Sequence, residues 1–244
     1  MKVEIIEDKI AMGKAAAEFV ARKLNVILDQ RGGARIILAT GTSQFDFLDH
    51  LKTLDIPWDK ITVFHLDEYI GIDNQHPASF RKYLKERIID DVKPQVMHYL
   101  NADVTDLAME VSRYESLLKE KPIDIACIGI GENGHIAFND PPVADFNDPY
   151  WVKVVALDEA CRNQQLGEGW FPTLAAVPTH ALTLTIPAIV NSKIISCVVP
   201  DQRKAEAVKN TVNGEITTNC PASILRTHSD CTLWLDRYSA DALN

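Results

Sequence analysis

The sequence has no C-x-x-C pair. Its five cysteines, Cys127, Cys161, Cys197, Cys220 and Cys231, are odd in number and scattered, which excludes a disulfide framework and points to a reducing cytosol. No secretory leader follows Met1. No apolar run outlasts a strand before a charge or turn residue interrupts it, so a membrane span is not expected. His50, His76, His98, His180 and His228 lack metal-ligand spacing, so no zinc site is indicated. Basic residues are in the minority, 25 against 34 acids. The net charge of -9 argues against nucleic acid, and any bound phosphate must meet a local cluster of donors rather than a basic surface. No Ser/Gly/Pro-rich linker, charge block, repeat or low-complexity tract divides the chain. With 46% hydrophobic residues, 1–244 reads as one domain with one large core.

What is present centres on Ile123–Val143, IDIACIGIGENGHIAFNDPPV. Its first eight residues are an almost unbroken apolar run, the pattern of a strand buried on both faces of a parallel sheet. The run breaks into Gly129, Gly131 and Gly134, which let the backbone turn and approach a ligand. Glu132, Asn133, His135, Asn139 and Asp140 supply polar groups at the strand's carboxyl end, where open α/β sheets bind small molecules.

Upstream, the pattern predicts a strand at Lys2–Ile6, a helix from about Lys9 to Gln30, and a strand at Ala34–Ala39 running into Thr40-Gly41-Thr42-Ser43. A helical stripe from Phe45 to Leu54 follows. Hydroxyls and a glycine at a helix start make a candidate phosphate cradle; alternatively Thr42 or Ser43 merely caps the helix. No G-K-[ST] follows, so this is not a nucleoside-triphosphate loop. The strand Ile61–Leu66 delivers Asp67 and Glu68 at its carboxyl end, where a carboxylate in a partly apolar mouth can act as a base.

Further helices are expected at Ser79–Ile89, Asp106–Lys121, Arg203–Val212 (carrying Lys204) and Pro221–Thr227. Strands are expected at Val96–Leu100, Trp151–Ala156, Ala181–Ile186, Lys193–Val199 and Cys231–Leu235. The acidic, aromatic stretch 144–151 is placed to act as a flap. His65 and Cys127 read as core residues, and the four tryptophans as packing. Strands alternating with helices predict an α/β chain: a three-layer α/β/α Rossmann-like fold with a mostly parallel central sheet. Right-handed crossovers would bring Thr40, Asp67 and 133–140 to one edge.

FHLDEYIG at Phe64–Gly71 and GIGENGHIAFNDP at Gly129–Pro141 resemble the two signature stretches of glucosamine-6-phosphate deaminases, also called isomerases. ATGTS at Ala39–Ser43, the Lys204 helix and PASIL at Pro221–Leu225 fall in matching order, so the resemblance covers essentially the whole chain. The continuation after Gly134-His135 differs from that of the related phosphogluconolactonases. The resemblance implies an amino-sugar phosphate substrate, no cofactor and no metal, and is compatible with a homo-oligomer. Asp67 would move a proton between C2 and C1 of the open sugar, and His135, held by Asn133 and Asp140, would assist ring opening. Thr40, Gly41, Thr42, Ser43 and Lys204 would bind phosphate, with Glu68 and Gly134 also at the substrate.

Two departures stand out. Asn133 and the short Asp140 replace a pair of longer-reaching or charged acids, and Gly167 stands where these deaminases carry a phosphate-binding arginine, leaving Arg162 or Arg203 as substitutes. The amide at Asn133 leaves the C4 epimer, glucosamine or galactosamine, open. Two other readings are a phosphogluconolactonase-like hydrolase using His135 as base, and a sugar-phosphate sensor without turnover.

Overall fold

The computed structural model describes residues 1–167 and 169–243, with backbone only for 160 and 164. In chain order the strands are β1 (Lys2–Ile6), β2 (Ala34–Leu38), β3 (Ile61–His65), β4 (Asp67–Tyr69), β5 (Val96–Met97), β6 (Ile125–Ile128), β7 (Val152–Ala156), β8 (His180–Leu184), β9 (Ile194–Val199) and β10 (Cys231–Asp236). The helices are α1 (Lys9–Arg31), α2 (Phe45–Leu51), α3 (Phe80–Leu84), α4 (Asp90–Val92), α5 (Leu107–Glu120), α6 (Glu159–Gly167), α7 (Ile186–Val190) and α8 (Ala205–Asn213).

Seven strands form a parallel sheet in the order β1-β10-β9-β6-β2-β3-β5. Alternate residues of each strand enter cores on opposite faces. Ile36 and Leu38 of β2 pack with Leu24 of α1 and Leu48 of α2, whereas Ile37 packs in the cluster that holds Tyr114 of α5, Ile189 of α7 and Val208 of α8. Both faces of β6 are covered in the same way, which explains its unbroken apolar run. Losing one such fully buried leucine side chain costs about 2–5 kcal/mol.

The order of strands matters for function. From β2 the chain moves outward to β3 on one side, and from β6 it moves outward to β9 on the other, so a crevice opens between the carboxyl ends of β2 and β6. Such reversal points are where open α/β sheets take ligands.

Two expectations are corrected. β7 and β8 do not join the parallel sheet: with β4 they make a separate antiparallel sheet, β4-β8-β7. The short three-residue β4 leaves the line of β3 and pairs with β8, pinning the Asp67 backbone opposite Thr183. Second, the segment 144–151 does not line the cleft. It is tied down elsewhere: Lys153 Nζ donates to Val143 O (2.7 Å) and Asp148 Oδ2 (2.8 Å), and Thr185 Oγ1 donates to Tyr150 O (2.8 Å). Smaller differences follow local chemistry. The helical run through residues 80–92 passes through a π-helical stretch at Lys85–Ile89, and Pro221–Thr227 is a 3-10 helix. No helix among the described residues is long and apolar enough to cross a membrane.

Candidate active site

A cleft of about 370 Å³ occupies the crevice at the carboxyl ends of the parallel strands. At one side it is lined by Thr40, Gly41, Thr42 and Ser43 after β2, and by Asp201, Arg203 and Lys204 after β9. The turn is built by buried contacts. Gln44, with no exposure, donates to Ser43 Oγ (3.1 Å) and to Val198 O on β9 (3.3 Å), while the Tyr83 hydroxyl donates to Gly41 O (2.8 Å). Lys204 is 8% exposed, so its ammonium sits in a partly desolvated wall where it attracts an anion more strongly than in water. Arg203 is more open and ion-paired at its edge, 3.4 Å from Glu132 and 3.3 Å from Asp201.

The other side carries Asp67, His135, Ala137 and Phe138, with Phe80 and Gln165. Gly131 explains how the imidazole fits: a Cβ there would fall 2.1 Å from His135 Cε1, so only a bare backbone leaves room for the ring. The loop is then locked to the antiparallel sheet. Asn139 Nδ2 donates to Ile136 O (2.9 Å) and Leu184 O (2.8 Å), and Phe138 N donates to Thr183 Oγ1 (3.1 Å). The strands that left the parallel sheet thus serve as the clamp for the His135 loop.

Asp140 lies behind the histidine. Its Oδ1 is 2.9 Å from His135 Nδ1, a close contact in which the ring N–H is not well aligned, and it accepts from Asn133 Nδ2 at 2.8 Å. Asn133 Oδ1 in turn accepts from His135 N (3.0 Å). Asn133 does not line the cleft; it holds Asp140 and the loop.

The carboxylates differ sharply. Burial, then the neighbouring Glu68 and then Asp140, push the Asp67 carboxyl well above the usual carboxylate range. Burial also acts on Asp140, but contact with His135 and donation from Asn133 and the Cys161 thiol outweigh it and hold that carboxyl low. His65, directly under Asp67, is depressed to about 3 by burial and by the Arg81 charge. It stays neutral, accepting from Leu100 N at Nε2 (2.8 Å).

Two expected substrate contacts are corrected. Glu68 points away from the cleft and is fully buried. Its oxygens accept from Ser79 Oγ (2.8 Å), Phe80 N (3.1 Å), and Arg81 N (3.0 Å) and Nε (3.2 Å), so its acceptor capacity is spent inside the protein. Alternation along β4 forces this: when Asp67 faces the cleft, Glu68 faces the other way. Gly134 is also outside the lining. With φ +84 and a would-be Cβ 2.6 Å from Cys220 Sγ, it serves the turn and the packing of the 3-10 helix at Pro221–Thr227.

Of the two arginines considered as substitutes, Arg162 is occupied, donating to Leu174 O (2.6 Å) and Val177 O (3.0 Å), and only Arg203 reaches the cleft. Gly167 is exposed and away from it. Lys9, in the first turn of α1 after its Asp8 N-cap, lines the cleft unannounced by any sequence motif. Asp46, Asp201 and Gln165 are further additions, and nothing in the polar helix stretch around Gln165 singled it out.

Comparison with known proteins places the chain in a family and agrees with the fold. The family model described as glucosamine-6-phosphate isomerases/6-phosphogluconolactonase matches residues 7–234. Glucosamine-6-phosphate deaminases of Streptococcus pneumoniae serotype 4 and Listeria monocytogenes serotype 4a are each 34% identical over the whole of this chain, which covers 99% and 100% of their lengths. A solved monomeric glucosamine-6-phosphate deaminase superposes with TM-score 0.91 at 32% identity, over 99% of this chain and 100% of that one. A 6-phosphogluconolactonase from Thermotoga maritima, at 18% identity and TM-score 0.78 over 96% of this chain and 98% of its own, shares the fold. The chain therefore belongs to the glucosamine-6-phosphate isomerase/6-phosphogluconolactonase family.

Proposed function

We propose that this protein is an amino-sugar phosphate deaminase, converting glucosamine-6-phosphate and water to the ketose 6-phosphate and ammonia. The observation that carries the reading is the division of labour within one cleft: an anion-binding wall of hydroxyls and a buried lysine, together with a carboxylate and an imidazole. A lactone hydrolase needs the phosphate wall and His135 but has no use for a buried carboxylate of raised pKa beside them.

In this mechanism Thr42, Ser43 and Lys204 hold the phosphate, and the sugar extends toward Asp67. His135 Nε2 takes the O1 proton of the pyranose and returns a proton to the ring oxygen, opening the ring. Asp67 then removes the C2 proton and delivers it to C1, while O1 gains a proton and the amino group gives one up, so that the 2-amino aldehyde becomes a 1-hydroxy 2-imine. Water adds to the imine carbon and ammonia leaves, giving the 2-ketone. Burial suits Asp67 to this role, because a base whose conjugate acid is stronger-held than an ordinary carboxyl is better matched to carbon-bound protons. Asp140 and Asn133 act as positioning residues for His135.

The likeness to a monomeric glucosamine-6-phosphate deaminase supports turnover by a single copy of the chain. The reading extends to a single catalytic domain working in the cytoplasm, supported by cysteines that are all free and buried. Ammonia release from glucosamine-6-phosphate and its galactosamine epimer, beside hydrolysis of 6-phosphogluconolactone, tests the proposal. Deamination is expected; lactone hydrolysis alone would replace the reading with the hydrolase.

A further inference from the structure

Among the described residues of α6, Gln165 lines the cleft, and it is 7% exposed. The Tyr69 hydroxyl donates to its Oε1 at 2.6 Å. Tyr69 is itself immobile: fully buried at the end of β4, its ring is boxed by Phe80, Phe138 and Phe171 at centroid distances of 5.0, 5.2 and 5.4 Å. A primary amide has one acceptor end and one donor end. With Oε1 taken from behind by Tyr69, the plane of the amide is fixed and the Nε2 hydrogens are the end left for the cleft. Phe80, Phe138 and Asp67 line the same cleft. A donor held in an apolar wall is costly unless an acceptor arrives, and an acceptor-bearing ligand removes that cost.

We propose that Gln165 Nε2 donates a hydrogen bond to an oxygen of the sugar chain near the reacting carbons, making Gln165 a substrate-binding residue that orients C2 toward Asp67. This rests on the amino-sugar phosphate reading above.

Gln165→Glu keeps the size and an acceptor for Tyr69 but replaces the donor, and Gln165→Leu removes both. Compared at the pH-independent plateau, each is expected to lose roughly ten- to a hundredfold in kcat/KM, the loss of one buried hydrogen bond. Inhibition by inorganic phosphate should stay within twofold of the unaltered protein. Tyr69→Phe, which frees the amide to turn over, should lose a few-fold. If Gln165 only satisfies Tyr69, Gln165→Glu will turn over within twofold of the unaltered chain, and the proposal is overturned. That near-isosteric variant decides the matter even if the leucine variant does not fold. Should the unaltered chain release no ammonia, the deaminase reading falls alone, and calorimetry with the same sugar phosphate decides on Gln165: a weaker fit of Gln165→Glu supports it, while equal affinities, or no binding by either protein, overturn it.

Discussion

Asp67 and Asp140 are both buried, Asp140 against His135, and their environments drive them in opposite directions. Around Asp67 there are two other acids and no close donor strong enough to offset burial, so it holds its proton tightly. Around Asp140 there are an imidazole, an amide and a thiol, so it ionises readily. The two carboxylates thereby take different work, one as proton carrier and one as fixed negative anchor. Burial acts on both, and the donors and the imidazole around Asp140 are what reverse its effect there.

The largest expected effect is on Asp67. Removing a positioned base typically costs ~100- to 10,000-fold in rate, so Asp67→Asn should lose about that much turnover, with loss of solvent deuterium exchange at C2. Near-normal ammonia production would remove Asp67 from the mechanism. Stability should move the other way. A group whose folded pKa lies above its unfolded value favours folding fully below the unfolded pKa and loses that contribution as pH rises through the folded one. Asp67 therefore lowers stability at neutral pH relative to acid pH, and Asp67→Asn should melt higher than the unaltered protein there. Asp140, held low, does the reverse: its contribution is present above the unfolded pKa and is lost as pH falls through the folded value. Asp140→Asn should melt lower at neutral pH, and equal shifts in both variants would break the contrast.

Glu68 limits the contrast: Ser79, Phe80 and Arg81 donate to it, yet burial still holds its carboxyl above the usual range. Glu68→Gln leaves the Arg81 guanidinium with Asp103 as its remaining acid at 2.8 Å, a loss of about 3 kcal/mol in stability on the scale of broken buried pairs. Denaturant unfolding reads this directly. A loss under 1 kcal/mol would mean that Asp103 carries Arg81 unaided.

How much of this was legible in the residues depended on period. The apolar runs of β2, β3, β6 and β9 announced a buried parallel sheet, and the glycines and hydroxyls after them announced where its cleft lies. Adjacent acids at 67 and 68 could not be told apart by composition, although the two-residue period of a strand places them on opposite sides. The departure of β4, β7 and β8 into an antiparallel sheet left no trace, because an amphipathic five-residue strand such as Val152–Ala156 suits an edge of either sheet. Lys9 and Gln165 were invisible because they belong to helices remote in sequence from every motif, and only the packing of α1 and α6 brings them to the cleft.

At the phosphate wall the effects are smaller. Lys204→Ala removes a charge-assisted contact of roughly 1.5–3 kcal/mol, about ten- to a hundredfold in affinity for a non-reactive sugar 6-phosphate. Lys9→Ala and Arg203→Ala remove exposed cations and should each cost less, only a few-fold, and progressively less as salt is raised. Titration of all three variants with one analogue ranks them. If Arg203→Ala weakens binding more than Lys204→Ala, the phosphate lies at the open edge by Glu132 rather than against the buried lysine.

The smallest effect belongs to Asn133, whose amide donates to Asp140 at 2.8 Å without reaching the cleft. An aspartate in its place has no proton to donate at neutral pH and sets a second negative charge against Asp140. That raises the Asp140 carboxyl and adds to the negative surroundings that already press the Asp67 carboxyl upward. The acid limb of kcat/KM reports ionisation of the free-enzyme base, here Asp67, so Asn133→Asp should move that limb to higher pH, by up to ~1 unit for one nearby charge. Lengthening the anchor as well, with Asp140→Glu in the same chain, lets the two acids separate and should return part of the shift. A limb that stays in place while preference between the glucosamine and galactosamine phosphates changes would show Asn133 reading the sugar, and would require the loop at 131–135 to turn its exposed amide into the cleft when substrate binds.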